Sequence, residues 1–170
     1  VELYDTDGDG QLSSVELEKA PGIKAGLKNL DQNADGIVSA EELEARIGIW
    51  DGSQYSILPI SCGVSLDGVR IEGAKVVFEP EPFLKDVLRE GVGVTNSAGS
   101  AAVSIPKENR IVADAPPGLQ MGYYIVRINK DSNGKELITA KYNTQSILGQ
   151  EVAYDDPGFQ SQIVFNLTTK

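Results

Sequence analysis

Oxygen-bearing side chains alternate along residues 5–16, DTDGDGQLSSVE, and the same spacing returns at residues 31–42, DQNADGIVSAEE. A stretch with a carboxylate or amide at every second position and a glutamate at its end is poor material for an apolar core, because each carboxylate removed from water needs a partner. It suits a hard cation instead: calcium takes six to eight oxygens and needs the backbone to curl around it. In the first loop Asp5, Asp7 and Asp9 would point inward, Gln11 would offer its carbonyl, Ser13 would hold a water and Glu16 would grip with both oxygens, while Gly10 permits the sharp turn. In the second loop the equivalent ligands are Asp31, Asn33, Asp35, the carbonyl of Ile37, Ser39 through water, and Glu42, with Gly36 at the turn. Ser13 with Glu16 and Ser39 with Glu42 read as capping boxes, so each loop should end by starting a helix. Leu12 and Val38 hold matching positions, where paired loops exchange a short β bridge.

These residues resemble an EF-hand pair over residues 1–48, with every ligand position filled by an accepted residue type. The resemblance implies two bound Ca2+ ions. Only residues 17–30 separate the loops, and Pro21 with Gly22 should split that segment into a stub around Val15 to Lys19 and a helix around Ile23 to Leu30. Only VELY precedes Asp5, so the natural chain is expected to begin earlier.

Charge sorts the chain in the same way. Of 25 acidic residues, 11 lie in residues 1–50 against 4 basic ones, a balance of −7, while the remainder holds 14 against 11, a balance of −3. The acidity is local. It argues for cation binding at one end and against a nucleic-acid partner, which would need a basic face. No run of about 18 apolar residues exists in this sequence, so no transmembrane segment is expected in it. Cys62 is alone, which excludes an intramolecular disulfide and suggests a buried strand position. The chain has no histidine. That removes Ser-His and Cys-His arrangements, His-containing zinc sites and the commonest general base. No convergent set of other catalytic groups stands out, and the chain is expected not to be an enzyme.

From Trp50 onward the period changes from helical to alternating, and the punctuation becomes Asp-Gly, Asn-Gly and Pro-Gly. Asp67-Gly68 marks a hairpin, and further strand pairs are expected around Asn96 to Gly99 and Asp131 to Gly134, with a last strand in SQIVFNL. The fold class that follows is multidomain: a small all-α EF-hand pair at 1–48, a linker at 49–55, and an all-β, two-sheet sandwich of about seven strands at 56–170. GVSLDGVRIEGAKVVFEP, GVTNSAGSAAVSI, GLQMGYYIVRI, KYNTQSIL and the closing VFNL together resemble the carboxypeptidase regulatory-like, transthyretin-like sandwich, an immunoglobulin-like fold found in bacterial secreted and lipid-anchored proteins. The resemblance implies an exported protein, secreted, periplasmic or at the cell surface, acting as an interaction or structural module toward a protein or polysaccharide. The alternative is a carbohydrate-binding module attached to or assisting a catalytic partner. The hydroxyisourate hydrolases that share the transthyretin fold rely on histidines and a C-terminal Tyr-Arg-Gly-Ser signature, and this chain has neither.

Other conspicuous residues have simpler expectations. Trp50, Tyr123 and Tyr124 would make a sugar-stacking platform if exposed, but alternation favours core or domain packing for them. Asp155 and Asp156 precede Pro-Gly and read first as a turn, with a third cation site as the alternative. Lys75 and Asn166 lie on candidate strands and would be a covalent cross-link only if the lysine were desolvated beside the amide. A sandwich of this length can bury its own core, so residues 51–170 are expected to fold alone, whereas the first 48 are near the size at which a metal or partner becomes necessary.

Overall fold

A computed structural model describes residues 1–51, 57–156 and 163–169. The first unit contains β1 (Gln11–Leu12), α1 (Ser14–Leu17), α2 (Pro21–Ala25), α3 (Leu27–Leu30), β2 (Val38–Ser39) and α4 (Ala40–Asp51). The second contains β3 (Ile57–Leu58), β4 (Ile60–Leu66), β5 (Val69–Arg70), β6 (Lys75–Pro80), β7 (Gly91–Val94), β8 (Ser100–Val103), β9 (Leu119–Gln120), β10 (Gly122–Asn129), β11 (Asp131–Ser132), β12 (Lys135–Glu136), β13 (Leu148–Val152) and β14 (Ile163–Leu167). The chain is therefore a small helical region followed by a sheet-dominated one. Seven of the described strands in the second unit have four residues or more, and the rest are two-residue pairs. Part of the expected linker, 52–56, lies outside the described residues.

Two four-stranded sheets form the second unit. One runs β13-β10-β6-β7; the other is built on β4, which pairs with β14 on one side and with β8 and β5 on the other. Phe78 of β6 meets Phe165 of β14 across the space between them, with ring centroids 6.2 Å apart, and Val76, Tyr124, Val126 and Ile128 are fully buried. The turn at Asp67-Gly68 is the hairpin its dipeptide predicts: φ is 49° and 80° at the two residues, and β4 pairs antiparallel with β5 across them. Two features depart from a simple antiparallel reading. β14 runs parallel to β4, in register from Ile163 opposite Cys62 to Leu167 opposite Leu66. β7 and β8, joined by the expected turn, enter different sheets; a β-bridge links Val92 to Ser104, just past β8, and Gly93 packs against Ala102. Cys62 is a free, buried strand cysteine whose thiol burial pushes up to about 12, so it is inert.

The segment between the loops splits ahead of Pro21 as expected, with α1 as the stub before it. Pro21 occupies the first turn of α2, where a missing amide hydrogen costs nothing, and a second, unexpected break at Gly26 separates α2 from α3.

The helical unit packs on the outer face of the β13-β10-β6-β7 sheet. Side chains alternate across a strand, so with Tyr124 and Val126 facing the inner core, Tyr123 and Ile125 of β10 face outward, as do their neighbours Gly149 and Glu151 of β13. Five consecutive residues, Gly122 to Val126, are buried because both faces of β10 are covered. Tyr123 meets Trp50 of α4 edge-on, with centroids 4.9 Å apart, an arrangement worth about 0.5–1.5 kcal/mol beyond the area it buries. At Gly149 the approach is so close that a Cβ would stand 1.7 Å from the Pro21 carbonyl oxygen. The two units thus share one continuous core, with Leu12, Ile23, Leu30, Val38 and Trp50 in the same cluster as Phe78 and Tyr123. The independent folding expected of residues 51–170 is not what this joint supports, since cutting at residue 51 would expose Tyr123 and Glu151.

Candidate metal centre

Each loop folds back on its own carboxylates. In loop one Asp5 accepts from the amides of Gly8 at 2.6 Å and Gly10 at 2.9 Å, Asp7 from the amide of Asp9, and Asp9 from the amide of Gln11. These Asx turns bend the chain until ligand oxygens of Asp5, Asp7 and Asp9 all lie within 4.8 Å of one another. In loop two Asp31 accepts from Asp35 and Gly36, Asn33 from Asp35, and Asp35 from Ile37. Gly10 and Gly36 carry φ of 84° and 80°, the left-handed conformation the sharp turn requires.

The closing glutamates are held before any metal arrives. Glu16 accepts from the Thr6 amide at 2.5 Å and from the Ser13 amide and hydroxyl at 2.9 and 2.7 Å. Those bonds, the Thr6 amide foremost and then the Ser13 hydroxyl and amide, hold its carboxyl down at about 2. Glu42 repeats the arrangement with the Gln32 amide and with the amide and hydroxyl of Ser39. Both capping boxes are therefore formed, and α1 and α4 begin behind them. The bridge between the loops is also as the spacing predicts, with Leu12 opposite Val38 and Gln11 opposite Ser39 in β1 and β2.

The donor set fits a calcium ion. It is all oxygen and rich in carboxylate; the loops are exposed along residues 6–10 and 32–36 and turn inward at Leu12 and Val38, and in loop one the hydrogen bonds keep the aspartates converging although like charges repel. Bound there, the ion would supply no redox or Lewis-acid step; Asp5, Asp7, Asp9, Gln11 and Glu16, and Asp31, Asn33, Asp35, Ile37 and Glu42, would hold it through side-chain and carbonyl oxygens.

Comparison with known proteins points the same way. A family model described as EF hand matches residues 2–20 and 23–47. No curated protein and no solved structure matches the chain. The first unit is thus similar to the EF hand, and that match suggests calcium binding.

Other candidates come out differently. Trp50, Tyr123 and Tyr124 are buried, so they form no exposed stacking strip. Asp155 is held by the Arg46 guanidinium through two bonds of 2.7 and 2.8 Å, and Asp156 accepts from Gln150; residues 157–158 lie outside the described residues. Their arrangement is that of an ion pair and a turn. Lys75 is exposed on β6, between Val94 and Asn129, whereas Asn166 is exposed on β14 in the other sheet and accepts from the Ser65 hydroxyl. The lysine is not desolvated and does not face the amide, which removes both conditions for a cross-link.

Sequence reasoning missed the residues that join the two units. The Tyr4 hydroxyl donates to Glu81 at 2.5 Å, and the Gly22 amide donates to the other oxygen of the same carboxylate at 2.7 Å. Glu151 accepts from Arg46 Nε at 2.7 Å and from Asn29 Nδ2 at 2.6 Å. Glu81 is fully buried and Glu151 is 2% exposed. Burial raises both carboxyls, and the hydrogen bonds offset this only in part. Arg46, which also grips Asp155, is raised as well, but for a guanidinium this means that it is held more firmly protonated, so Arg46 keeps its charge. Arg46 also lies over the Trp50 ring, 5.5 Å from its centre.

Proposed function

We propose that this is a calcium-binding, non-enzymatic bacterial protein, exported to the periplasm or cell surface, where it serves as an interaction or structural module. The observation that carries the calcium reading is the convergence of Asp5, Asp7 and Asp9 within 4.8 Å in a segment that matches the EF-hand family. Each loop takes one ion, giving two. The second unit is read as a carboxypeptidase regulatory-like, transthyretin-like sandwich on the strength of its strand motifs and its two four-stranded sheets. Export follows from that resemblance, as does a protein or polysaccharide partner at the surface, with a lipid anchor in the full-length form. Native mass spectrometry of the full chain in calcium acetate tests the metal reading: two added ions are expected, and a spectrum unchanged from that in chelator would refute it. Fractionation of the source bacterium tests the location, and recovery with the cytosolic fraction would refute export.

A further inference from the structure

The four residues that the sandwich grips are placed around the calcium loops in an ordered way. Tyr4 directly precedes Asp5, the first ligand of loop one; Asn29 stands two residues before Asp31, the first ligand of loop two; Arg46 stands four residues after Glu42, the last; and Gly22 lies in the segment between the loops. Residues 2–4 form a turn, α1 and α3 have four residues each and α2 has five, so little regular helix flanks loop one or leads into loop two. In their place stand Glu81 and Glu151, two buried acids projecting from the outer face of one sheet, whose carboxylates accept hydrogen bonds from the helical unit.

We infer that Glu81 and Glu151 are positioning residues for the calcium loops: by fixing Tyr4, Gly22, Asn29 and Arg46 they hold both loops near their metal-binding shape, so that calcium affinity is set partly by the sandwich. The inference rests on the calcium reading above. Its physical basis is preorganisation. Without a cation the carboxylates of Asp5, Asp7 and Asp9 repel one another at close range, and a loop free at its ends relaxes apart. Whatever the loop must recover in order on binding is subtracted from its affinity. A Tyr4 pinned to a buried carboxylate limits that relaxation at the first ligand, and Asn29 and Arg46 limit it on both sides of loop two. Coupling of this kind is reciprocal, so occupied loops must also stabilise the joint and the strands that carry it.

Calorimetric titration of the full chain with calcium chloride tests this on Glu81→Ala, Glu151→Ala, the conservative Glu81→Gln and Glu151→Gln, and Lys75→Ala as an exposed control distant from the joint. Both alanine variants should bind calcium about fivefold or more weakly, within the usual range of coupling between sites. The glutamine variants, which keep an acceptor and the side-chain volume, should recover most of the loss, and Lys75→Ala should match the unsubstituted protein. If an alanine variant does not fold, Tyr4→Phe and Asn29→Ala break single contacts of the same joint and their weakened binding carries the test. Hydrogen exchange gives a second readout: calcium should raise protection in Gly122–Asn129 and Leu148–Val152 as well as in the loops. Unsubstituted protein that binds calcium while every folded variant binds it equally well, with exchange in those strands unmoved, overturns the inference and leaves the calcium reading standing. Failure of the unsubstituted protein to bind calcium overturns both.

Discussion

Loop one has Asp5, Asp7 and Asp9 converging and Gly8 at its fourth position with φ 78°; loop two has Asn33 in place of the central carboxylate and Ala34 at its fourth position with φ 61°. Both share the bonds from the turn glycine to the first aspartate and along the next two ligands, differ in whether Gly8 or Asp35 makes the second bond to that aspartate, and close on a capped glutamate, so the backbone path is set by the shared positions. What differs is charge and strain. Loop one presents four acidic ligands and loop two three, which favours loop one for a divalent ion. Loop two also holds an alanine in a conformation that costs an L residue about 1–2 kcal/mol. The repeat thus teaches that one fold of loop can be tuned at two positions without disturbing the others.

The largest effect should come from the closing glutamates. Glu16→Gln and Glu42→Gln each remove a charge and a bidentate grip, and each should weaken its own site by at least about a hundredfold, or about 2.7 kcal/mol. In calorimetry Glu16→Gln should remove the tighter of two binding events; if the tighter event survives it, the ranking of the loops is wrong. Next comes Asn33→Asp, which restores the carboxylate pattern of loop one and should tighten loop two by about tenfold, since a unit charge near 4 Å is worth about 1–4 kcal/mol between aqueous and protein-surface dielectrics. A tightening of loop one instead would break the comparison.

Smaller still is Ala34→Gly. Relief of about 1–2 kcal/mol of backbone strain is opposed by about 0.4–1 kcal/mol of added freedom in the unfolded chain, so a net gain on the order of 0.5 kcal/mol should appear in chemical denaturation. A loss of stability would mean that the alanine methyl makes contacts worth more than its strain. The last effect concerns acid. A carboxyl depressed by folding contributes stability that is present above its ordinary range near 4.3 and is lost as pH falls through the folded value. Glu16 should therefore titrate with a midpoint near 2 in calcium-free protein, read from its side-chain carbonyl carbon resonance. A midpoint near 4 would mean that Thr6 and Ser13 do not hold it in solution.

The loops were legible because their chemistry is local: turn glycines, capping boxes and the Leu12–Val38 bridge all lie within fixed short spacings, and the structure forms each of these. The hairpin at Asp67-Gly68 was legible for the same reason. What alternation hid was contact over long separations. Tyr123 and Tyr124 read as one buried pair, yet they face opposite sides of the sheet, one toward Trp50 and the other toward Phe78. A run as continuous as GYYIV was a sign that β10 is covered on both faces, and Glu151 beside Gly149 on β13 was the polar part of the same cover. Glu81 gave no local signal, because its partners are 59 and 77 residues away in sequence. The parallel pairing of β14 with β4 likewise joins strands that no turn connects.

On the reading proposed above, calcium holds the first unit in the shape that docks on the sandwich. Thermal unfolding of the full chain, followed by circular dichroism in a calcium series and in chelator, tests it most directly. By mass action each bound ion should add about 2.7 kcal/mol at a hundredfold excess over its dissociation constant. A single transition is expected, its midpoint climbing with calcium concentration, with loops and strands melting together. Identical melting curves in calcium and in chelator would contradict it.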